Sequence, residues 1–222
     1  MLLEILKSKA FERELLKSGD DIDLEKAYYL VRDMPYIRAS SRDPETIIKD
    51  WRGTCSGKHY LLKKLFAELG FSSRLIACTT INLIDPNKVR GKLRTLLKQS
   101  NGRFVDVHNY LVLELPGNQE MIVDATWPLD TKGSGTVVNE RFVLGEDQQI
   151  ACEPIHTWAV PDDRNAQDFK DEILKASFTP AELTHREEFI KTLGEMSMSR
   201  WVKFLLRMDR LVKHLTGREK FL

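Results

Sequence analysis

Two apolar segments separated by a short turn constrain the fold of this chain most strongly. Phe104–Leu115 and Met121–Trp127 are rich in β-branched and aromatic residues, and Pro116-Gly117-Asn118 lies between them. Segments of this composition on either side of such a turn predict a β-hairpin. Strands joined by so short a turn run antiparallel, so the chain is predicted to contain an antiparallel sheet.

The position of the turn predicts which side chains of the hairpin share a face. If the hairpin is centred on Gly117, His108 lies opposite Thr126 and diagonal to Asp124, with about 7–8 Å between the backbones. A slip of one residue without a bulge would move Asp124 to the opposite face. The register of this hairpin therefore decides whether His108 and Asp124 can meet.

The elements around the hairpin indicate an α+β fold. Tyr60–Leu69 carries apolar residues at helical spacing, and Gly70 stands where a left-handed C-terminal cap is expected. Arg74–Ile81 has the composition of a strand. Helices, then strands, then helices are typical of one α+β domain over residues 1–222, with a core at about 25–160 and a helical C-terminal extension at about 161–222. Further predicted elements are helices over 2–17, 23–34, 44–51 and 85–103, short strands near 136–142 and 155–160, and helices beginning at Thr179 and at Ser199.

Charge and hydropathy exclude several classes of function. The 34 basic and 33 acidic residues nearly cancel, leaving a net charge of +1, so no nucleic-acid partner is expected. No apolar run reaches the roughly 18 residues that a transmembrane helix needs. The amino terminus has Glu4 in its short apolar run and no small-residue cleavage site, which argues against a signal peptide.

The cysteines predict the compartment. Cys55, Cys78 and Cys152 are the three cysteines of the chain, and their spacing shows no pairs. An odd, unpaired set argues against a disulfide framework and favours a reducing, cytoplasmic location.

The loop Gly53-Thr54-Cys55-Ser56-Gly57-Lys58-His59 before the Tyr60–Leu69 helix allows three interpretations. In a phosphate-binding loop the second glycine stands five positions after the first, and Ser or Thr follows the lysine. Here Gly53 and Gly57 are four positions apart, and His59 follows Lys58. A metal site at Cys55 and His59, completed by a distant His108, lacks the four ligands and paired spacings of structural zinc. No resident metal or cofactor is therefore expected.

The third interpretation makes Cys55 a nucleophile. A cysteine in the first turn of a helix has a lowered pKa, because unpaired N–H groups and the helix dipole favour the thiolate. Such a nucleophile needs a base and a group that orients the base. His108 and Asp124, on the predicted hairpin, are the candidates.

In these features the chain resembles the transglutaminase-like superfamily, whose core is shared with papain-like thiol enzymes. The resemblance covers residues 25–127, and that family places Cys at a helix start, His on the following strand and Asp on the next one. The segments that carry it are Asp33-Met34-Pro35-Tyr36, Gly53-Thr54-Cys55-Ser56-Gly57-Lys58-His59, Leu69-Gly70-Phe71-Ser72-Ser73-Arg74-Leu75-Ile76, His108 and Ile122-Val123-Asp124-Ala125-Thr126.

The resemblance implies an activity and roles for individual residues. Cys55 would attack an amide or ester carbonyl of a protein, peptide or small amide, with His108 as base and Asp124 as its orienting partner. The outcome would be hydrolysis, or acyl transfer to an amine. The backbone N–H of Cys55 and the indole N–H of Trp51 are the expected oxyanion donors. The main alternative is a catalytically silent member that serves as a binding or scaffolding module.

Two basic segments lie outside the motifs. Residues 85–103 carry six Lys or Arg side chains and no acid after Asp85, which would suit an acidic partner or simply form the solvated face of a helix. Residues 199–215 predict a basic amphipathic helix. That helix would either dock on the core or lie against a membrane or a partner.

Overall fold

The computed structural model describes residues 1–133 and 135–195. The chain is an α+β protein with a four-stranded antiparallel sheet in the order β3-β2-β1-β4. Residues 180–195 are also helical and are termed α7 here. The elements are α1 Leu2–Glu12, α2 Leu24–Arg32, α3 Pro44–Asp50, α4 Cys55–Glu68, β1 Ser73–Leu83, a 3₁₀ turn Pro86–Lys88, α5 Gly91–Gln99, β2 Arg103–Leu115, β3 Gln119–Val123, a 3₁₀ turn Leu129–Thr131, β4 Thr157–Ala159 and α6 Ala166–Ser177.

The β2–β3 hairpin has the register predicted from its turn. Leu111 pairs with Val123 and Leu115 with Gln119, which centres the hairpin on Gly117. Gly117 has φ +77°, in the left-handed region that a tight hairpin turn requires. Because the register is fixed on both sides of the turn, the face that carries His108 is set by the hairpin itself.

The prediction that the second strand reaches Trp127 was wrong, because β3 ends at Val123. Beyond that point the backbone of Asp124 bonds to loop side chains instead of β2. Its N–H donates to Gln148 Oε1 at 2.8 Å, and its carbonyl accepts from Asn139 Nδ2 at 2.9 Å. Asp124 therefore lies just past the strand, where the chain leaves the sheet.

Helix α4 packs against the sheet and forms the centre of the core. Leu61, Leu62 and Leu65 are buried in one cluster with Val107 and Leu111 of β2. The predicted cap is confirmed at its end, where Gly70 has φ +84°. At its start a Cβ on Gly57 would lie 2.6 Å from Ile47 Cδ1, so only glycine allows α3 to pack this closely.

Two predicted helices were too long. The first ends at Glu12 and not near residue 17, and Glu14 follows with φ +61°. The helix predicted over 85–103 is a 3₁₀ turn followed by α5, because Gly91 at φ +62° interrupts it. In α5 the basic side chains are exposed while Leu93 and Leu97 are buried.

The strand predicted near 136–142 is absent, whereas the one near 155–160 is β4. Side chains of α2 form hydrogen bonds with backbone groups of residues 139–142, so those groups do not pair with a neighbouring strand. The Arg32 guanidinium donates to the carbonyls of Asn139 and Glu140, and the N–H of Phe142 donates to the Tyr29 hydroxyl.

The C-terminal helices join the same core as the rest of the chain. Ile173 and Leu174 of α6 belong to the buried cluster that contains Leu61 and Leu111. The capping box predicted at the start of α7 is confirmed, since the side chains and backbone N–H groups of Thr179 and Glu182 exchange hydrogen bonds. The helix predicted over 199–215 lies outside the described residues. Among the described helices, none has the length and apolar character to span a membrane.

Candidate active site

Cys55 is the first residue of α4 and is 3 % exposed. The N-cap residue Thr54 makes no side-chain capping bond, so no cap occupies the N–H groups of the first turn. Those N–H groups and the helix dipole favour negative charge beside the sulfur. The helix thus provides the environment that a reactive thiol needs.

His108 links the thiol to a carboxylate. Its Nε2 lies 2.8 Å from Asp124 Oδ2, and both side chains are buried. The Cys55 thiol lies near enough to the ring to raise the pKa of His108, in addition to the larger effect of Asp124. Because Nε2 is held by Asp124, Nδ1 is the ring nitrogen left for the sulfur. The structure therefore brings Cys55, His108 and Asp124 together in that order.

Asp124 is held by backbone donors on both oxygens. Oδ2 accepts the N–H of Ala151 at 2.8 Å, and Oδ1 accepts the N–H of Thr126 at 3.0 Å. Burial alone would raise the pKa of Asp124, but the His108 charge and its hydrogen bond lower it well below the ordinary value. The carboxylate is therefore ionised at neutral pH and orients the imidazole.

The ionisation of Cys55 and His108 follows from the charges around them. Burial opposes the thiolate, but the charge of Lys170 and the hydrogen bond and charge of His108 outweigh it and bring the pKa of Cys55 to about 6. Burial likewise opposes the imidazolium, and Asp124 and the thiolate raise the pKa of His108 well above 6.5. At neutral pH the pair is a thiolate and an imidazolium.

Lys170 of α6 reaches the sulfur from the opposite side of the site. Its Nζ lies 4.0 Å from Cys55 Sγ and donates to Ser56 Oγ at 2.9 Å. Ser56 in turn donates to Asn109 Oδ1 at 2.9 Å, and Asn109 Nδ2 donates to the carbonyl of Ile76. The ammonium group is thus fixed beside the nucleophile by a chain of hydrogen bonds that ends on β1.

A second buried ion pair lies next to Lys170. Asp106, two residues before His108 on β2, accepts from Arg186 of α7 through Nε and Nη2, both at 2.7 Å. The distance from Asp106 Oδ1 to Lys170 Nζ is 3.7 Å. Burial opposes ionisation of Asp106, but Arg186 and Lys170 keep its pKa below the ordinary value. The α7 helix is thereby tied to the strand that carries the proposed base.

His59, the last residue of the Gly53–His59 loop, connects Cys55 to the loop that carries Asp124. Its Nδ1 lies 2.7 Å from the carbonyl of Cys55, and its Nε2 lies 2.9 Å from the N–H of Ala125. Burial lowers the pKa of His59 to about 4, so the ring is neutral, with Nδ1 donating and Nε2 accepting. Nε2 lies 3.7 Å from Asp124 Oδ1 and forms no ion pair, since it carries no proton.

The metal interpretation of Cys55 and His59 receives no support. Both ring nitrogens of His59 are engaged by backbone groups. In the ranges 1–133 and 135–195, no three His, Cys, Asp or Glu side chains cluster as metal ligands would.

Trp51 has no contact with Cys55 among the hydrogen bonds and ring contacts described. It ends α3 with φ +50°, packs in the main core, and lies under the Arg13 guanidinium at 5.1 Å. Its suggested part in the oxyanion site stays a prediction.

Lys58 is a fully buried lysine behind the site. Its Nζ donates to the carbonyls of Arg32 and Thr126 at 2.8 and 3.0 Å. Burial lowers the pKa of Lys58 to about 7. A neutral amine has two N–H donors, which match the two carbonyl acceptors.

The other two cysteines, Cys78 and Cys152, are free, and their sulfur atoms lie close together. Cys78 of β1 pairs with His108 in the ladder, and its sulfur lies 3.8 Å from that of Cys152. The hydrogen bond with Cys78 and burial raise the pKa of Cys152, so that thiol is neutral at pH 7. The surroundings thus favour the thiolate at Cys55 and oppose it at Cys152.

The site is closed in this conformation. Cys55 is 3 % exposed and His108 5 % exposed, and Lys170 and Arg186 from the C-terminal helices are buried beside them. The sulfur is therefore shielded from solvent by these side chains.

Lys58, Lys170 and Arg186 were not identified from the sequence, although a common signal was present. Each occupies the apolar stripe of its helix, three and four residues before a pair of buried side chains. The buried pairs are Leu61 and Leu62, Ile173 and Leu174, and Phe189 and Ile190. A cation on the apolar face of an amphipathic helix is the pattern that marks a buried, partnered charge.

Comparison of the chain with protein-family models, curated proteins and solved structures finds no match.

Proposed function

We propose that the chain is a thiol enzyme with a transglutaminase-like, papain-like core that acts on an amide or ester carbonyl. The observation that carries the proposal is the position of His108, which lies 2.8 Å through Nε2 from the buried carboxylate of Asp124 and near enough to the Cys55 thiol for each to shift the pKa of the other. A nucleophile, a base and an orienting group in this order are the parts that covalent acyl chemistry needs.

The first half-reaction forms a thioester. The Cys55 thiolate attacks the carbonyl carbon, and the electron pair of the C=O bond moves to oxygen. When the intermediate collapses, the C–N or C–O bond breaks and the His108 imidazolium gives its proton to the leaving group. The free N–H groups in the first turn of α4 are the donors available to the oxyanion.

The second half-reaction releases the acyl group. Neutral His108 takes a proton from water or from an acceptor amine as that group attacks the thioester carbonyl. The C–S bond then breaks, and the thiolate and imidazolium are regenerated. Asp124 keeps the ring oriented and stabilises its charged form throughout.

The closed site favours a second candidate, a catalytically silent module that retains the fold. In that case Cys55, His108 and Lys170 are a buried polar cluster that stabilises the helices around it. The two candidates differ in whether Cys55 can be acylated in the folded protein.

Trapping of the acyl-enzyme tests the proposal. The folded protein is mixed with 4-nitrophenyl acetate, and release of nitrophenol is followed while peptides are analysed by mass spectrometry. We expect a burst of one equivalent and one acetyl group on Cys55, with about 10²–10⁴-fold slower acylation in His108→Asn, which removes the base. Cys152→Ser, which removes the most accessible thiol, is the matched control and leaves the burst unchanged. Acetylation confined to surface lysines would refute the enzyme and support the silent module.

A further inference from the structure

We infer that Lys170 is a further catalytic residue of this site, the cation that balances the thiolate of Cys55 and then the oxyanion of the tetrahedral intermediate. The inference rests on the proposed function, since it assigns an additional group to the same acyl chemistry. In this role Lys170, and not Trp51, is the second oxyanion donor beside the α4 N–H groups.

The position of the Lys170 ammonium group is the first argument. Its Nζ is 4.0 Å from Cys55 Sγ, and the residue is 2 % exposed. The hydrogen bond to Ser56 Oγ at 2.9 Å holds the amine beside the sulfur. A carbonyl carbon bonded to Sγ would place its oxygen within about 3 Å of that sulfur, in the region that this ammonium group can reach.

Lys170 shares its nearest carboxylate, Asp106, with Arg186. Asp106 receives two bonds of 2.7 Å from Arg186, whereas its distance to Lys170 Nζ is 3.7 Å. Asp106 is therefore mainly the partner of Arg186. A buried lysine that shares one carboxylate with an arginine is only partly compensated, and the Cys55 thiolate at 4.0 Å supplies further negative charge.

The balance of charge is the second argument. Asp124 is paired with His108, and Asp106 is shared by Arg186 and Lys170, while Arg186 also bonds to the half-exposed Glu187. Among the buried groups, the three cations are therefore matched by three anions only when Cys55 is a thiolate. In the tetrahedral intermediate the oxygen carries the negative charge that left the sulfur, so the three cations stay matched. When the intermediate collapses, His108 gives its proton to the leaving group, and the acyl-enzyme is balanced without a thiolate. The groups in this count are the cations His108, Lys170 and Arg186 and the anions Asp106, Asp124 and Cys55.

The charge distribution thus changes least between the thiolate and the intermediate, which is how a preorganised site lowers the barrier. The charge of Lys170 is also the largest influence that favours the thiolate of Cys55.

Every charged or titratable group that acts on the sulfur has to be considered in the test. These groups are Tyr36, Tyr60 of α4, Asp106 and His108 of β2, Lys170 of α6 and Arg186 of α7.

The first experiment measures the pH profile of Cys55 alkylation by iodoacetamide in three variants. In Lys170→Met we expect the midpoint to rise by at least about one pH unit, which lowers the rate near pH 6 roughly fivefold or more. Lys170→Arg keeps the charge and restores most of the profile. Lys175→Met, on the exposed side of α6, is the matched control and leaves the profile unchanged. A midpoint in folded Lys170→Met equal to that of the native protein would overturn the inference.

The second experiment separates the two charges that Lys170 is proposed to meet. Acylation by 4-nitrophenyl acetate is measured at a pH above the alkylation midpoint of each variant, where Cys55 is fully ionised. We expect Lys170→Met to remain at least about tenfold slower there, since the oxyanion has lost its cation. Full recovery of the rate at high pH would show that the oxyanion assignment is wrong.

These measurements also distinguish this inference from the proposed function. The alkylation midpoint reports on the thiolate whether or not the protein catalyses acyl transfer. If the midpoint shifts in Lys170→Met but the native protein is never acylated on Cys55, the proposed function fails and the assignment of Lys170 as counter-ion stands. If the native protein is acylated and the midpoint does not move, the inference about Lys170 fails alone.

Discussion

Replacement of Asp124 by asparagine should destabilise the protein strongly and in a pH-dependent way. The carboxylate accepts hydrogen bonds from His108 Nε2 at 2.8 Å, from the Ala151 N–H at 2.8 Å and from the Thr126 N–H at 3.0 Å. Asparagine offers one oxygen, so at least one of these donors is left facing an NH₂ group. Breaking a buried, hydrogen-bonded charge pair typically costs about 3–5 kcal/mol, and we expect that loss at pH 6.

The sign of the pH dependence follows from the two shifted groups. The pKa of Asp124 is lowered in the folded state, so its contribution is complete above the unfolded carboxyl value of about 3.9 and is lost as the pH falls. The pKa of His108 is raised, so its contribution is complete below the unfolded value of about 6.5 and is lost as the pH rises through the folded pKa. The effect of Asp124→Asn should therefore be largest between about pH 4 and 6.5.

Urea unfolding followed by tryptophan fluorescence at pH 6 and pH 3 measures this effect. The matched control is Asp162→Asn, because Asp162 pairs with Lys63 on the surface and its side chain is 84 % exposed. The control should change the free energy of unfolding by no more than about 1 kcal/mol. A loss below about 1 kcal/mol for Asp124→Asn at pH 6, or an equal loss at both pH values, would refute the description of Asp124 as a buried, ionised partner of His108.

Three further predictions concern the residues that support the site. Because the pKa of Lys58 is lowered to about 7, above that pH the unfolded state binds a proton that the folded state does not. Lys58 therefore raises the free energy of unfolding by up to about 1.4 kcal/mol per pH unit above pH 7. Lys58→Met should remove this rise, as measured by urea unfolding at pH 7, 8 and 9. His59→Phe should cost about 1–3 kcal/mol, because the Ala125 N–H loses its acceptor, and NMR of the native protein should show a neutral His59 ring from pH 5 to 9; a titration near 6.5 would contradict the assignment. Gly57→Ala should cost about 1–3 kcal/mol by overpacking against Ile47, and a second substitution, Ile47→Val, should recover part of that loss; additive thermal shifts would argue against the contact.

The order Cys55, His108, Asp124 could be anticipated because each position depends on local rules. The first turn of a helix identifies the thiol, and the hairpin turn at Gly117 fixes which residues of the two arms share a face. The end of β3 at Val123 could not be anticipated, because it depends on Gln148 and Asn139, which are distant in sequence and compete with β2 for the backbone.

The cations around the sulfur were missed for a related reason. Lys170 and Arg186 lie on helices more than 100 residues after Cys55 in the chain, and a charged residue on a helix is usually solvated. Their partners, Ser56 and Asp106, are not deducible from spacing. Only the position of each cation on an apolar stripe was visible, and that pattern indicates burial without naming a partner.

The broken helix over 85–103 illustrates a misjudged local signal. Leu93, Leu96 and Leu97 are buried on one face, as a helix requires, but the predicted helix also included Gly91. In the structure it takes φ +62° and begins α5 instead. A left-handed glycine separates a 3₁₀ turn from a helix at little cost, because it has no Cβ.

The rate of Cys55 alkylation by iodoacetamide as a function of pH tests whether Cys55 is a thiolate, stabilised by His108, at neutral pH. Peptide mass spectrometry assigns the modification to Cys55, so that the free thiols of Cys78 and Cys152 do not contribute. We expect a midpoint near pH 6 in the native protein and a higher midpoint in His108→Asn, which removes the imidazolium beside the sulfur. A midpoint near the free-thiol value of about 8.5 that does not respond to His108→Asn would contradict that expectation.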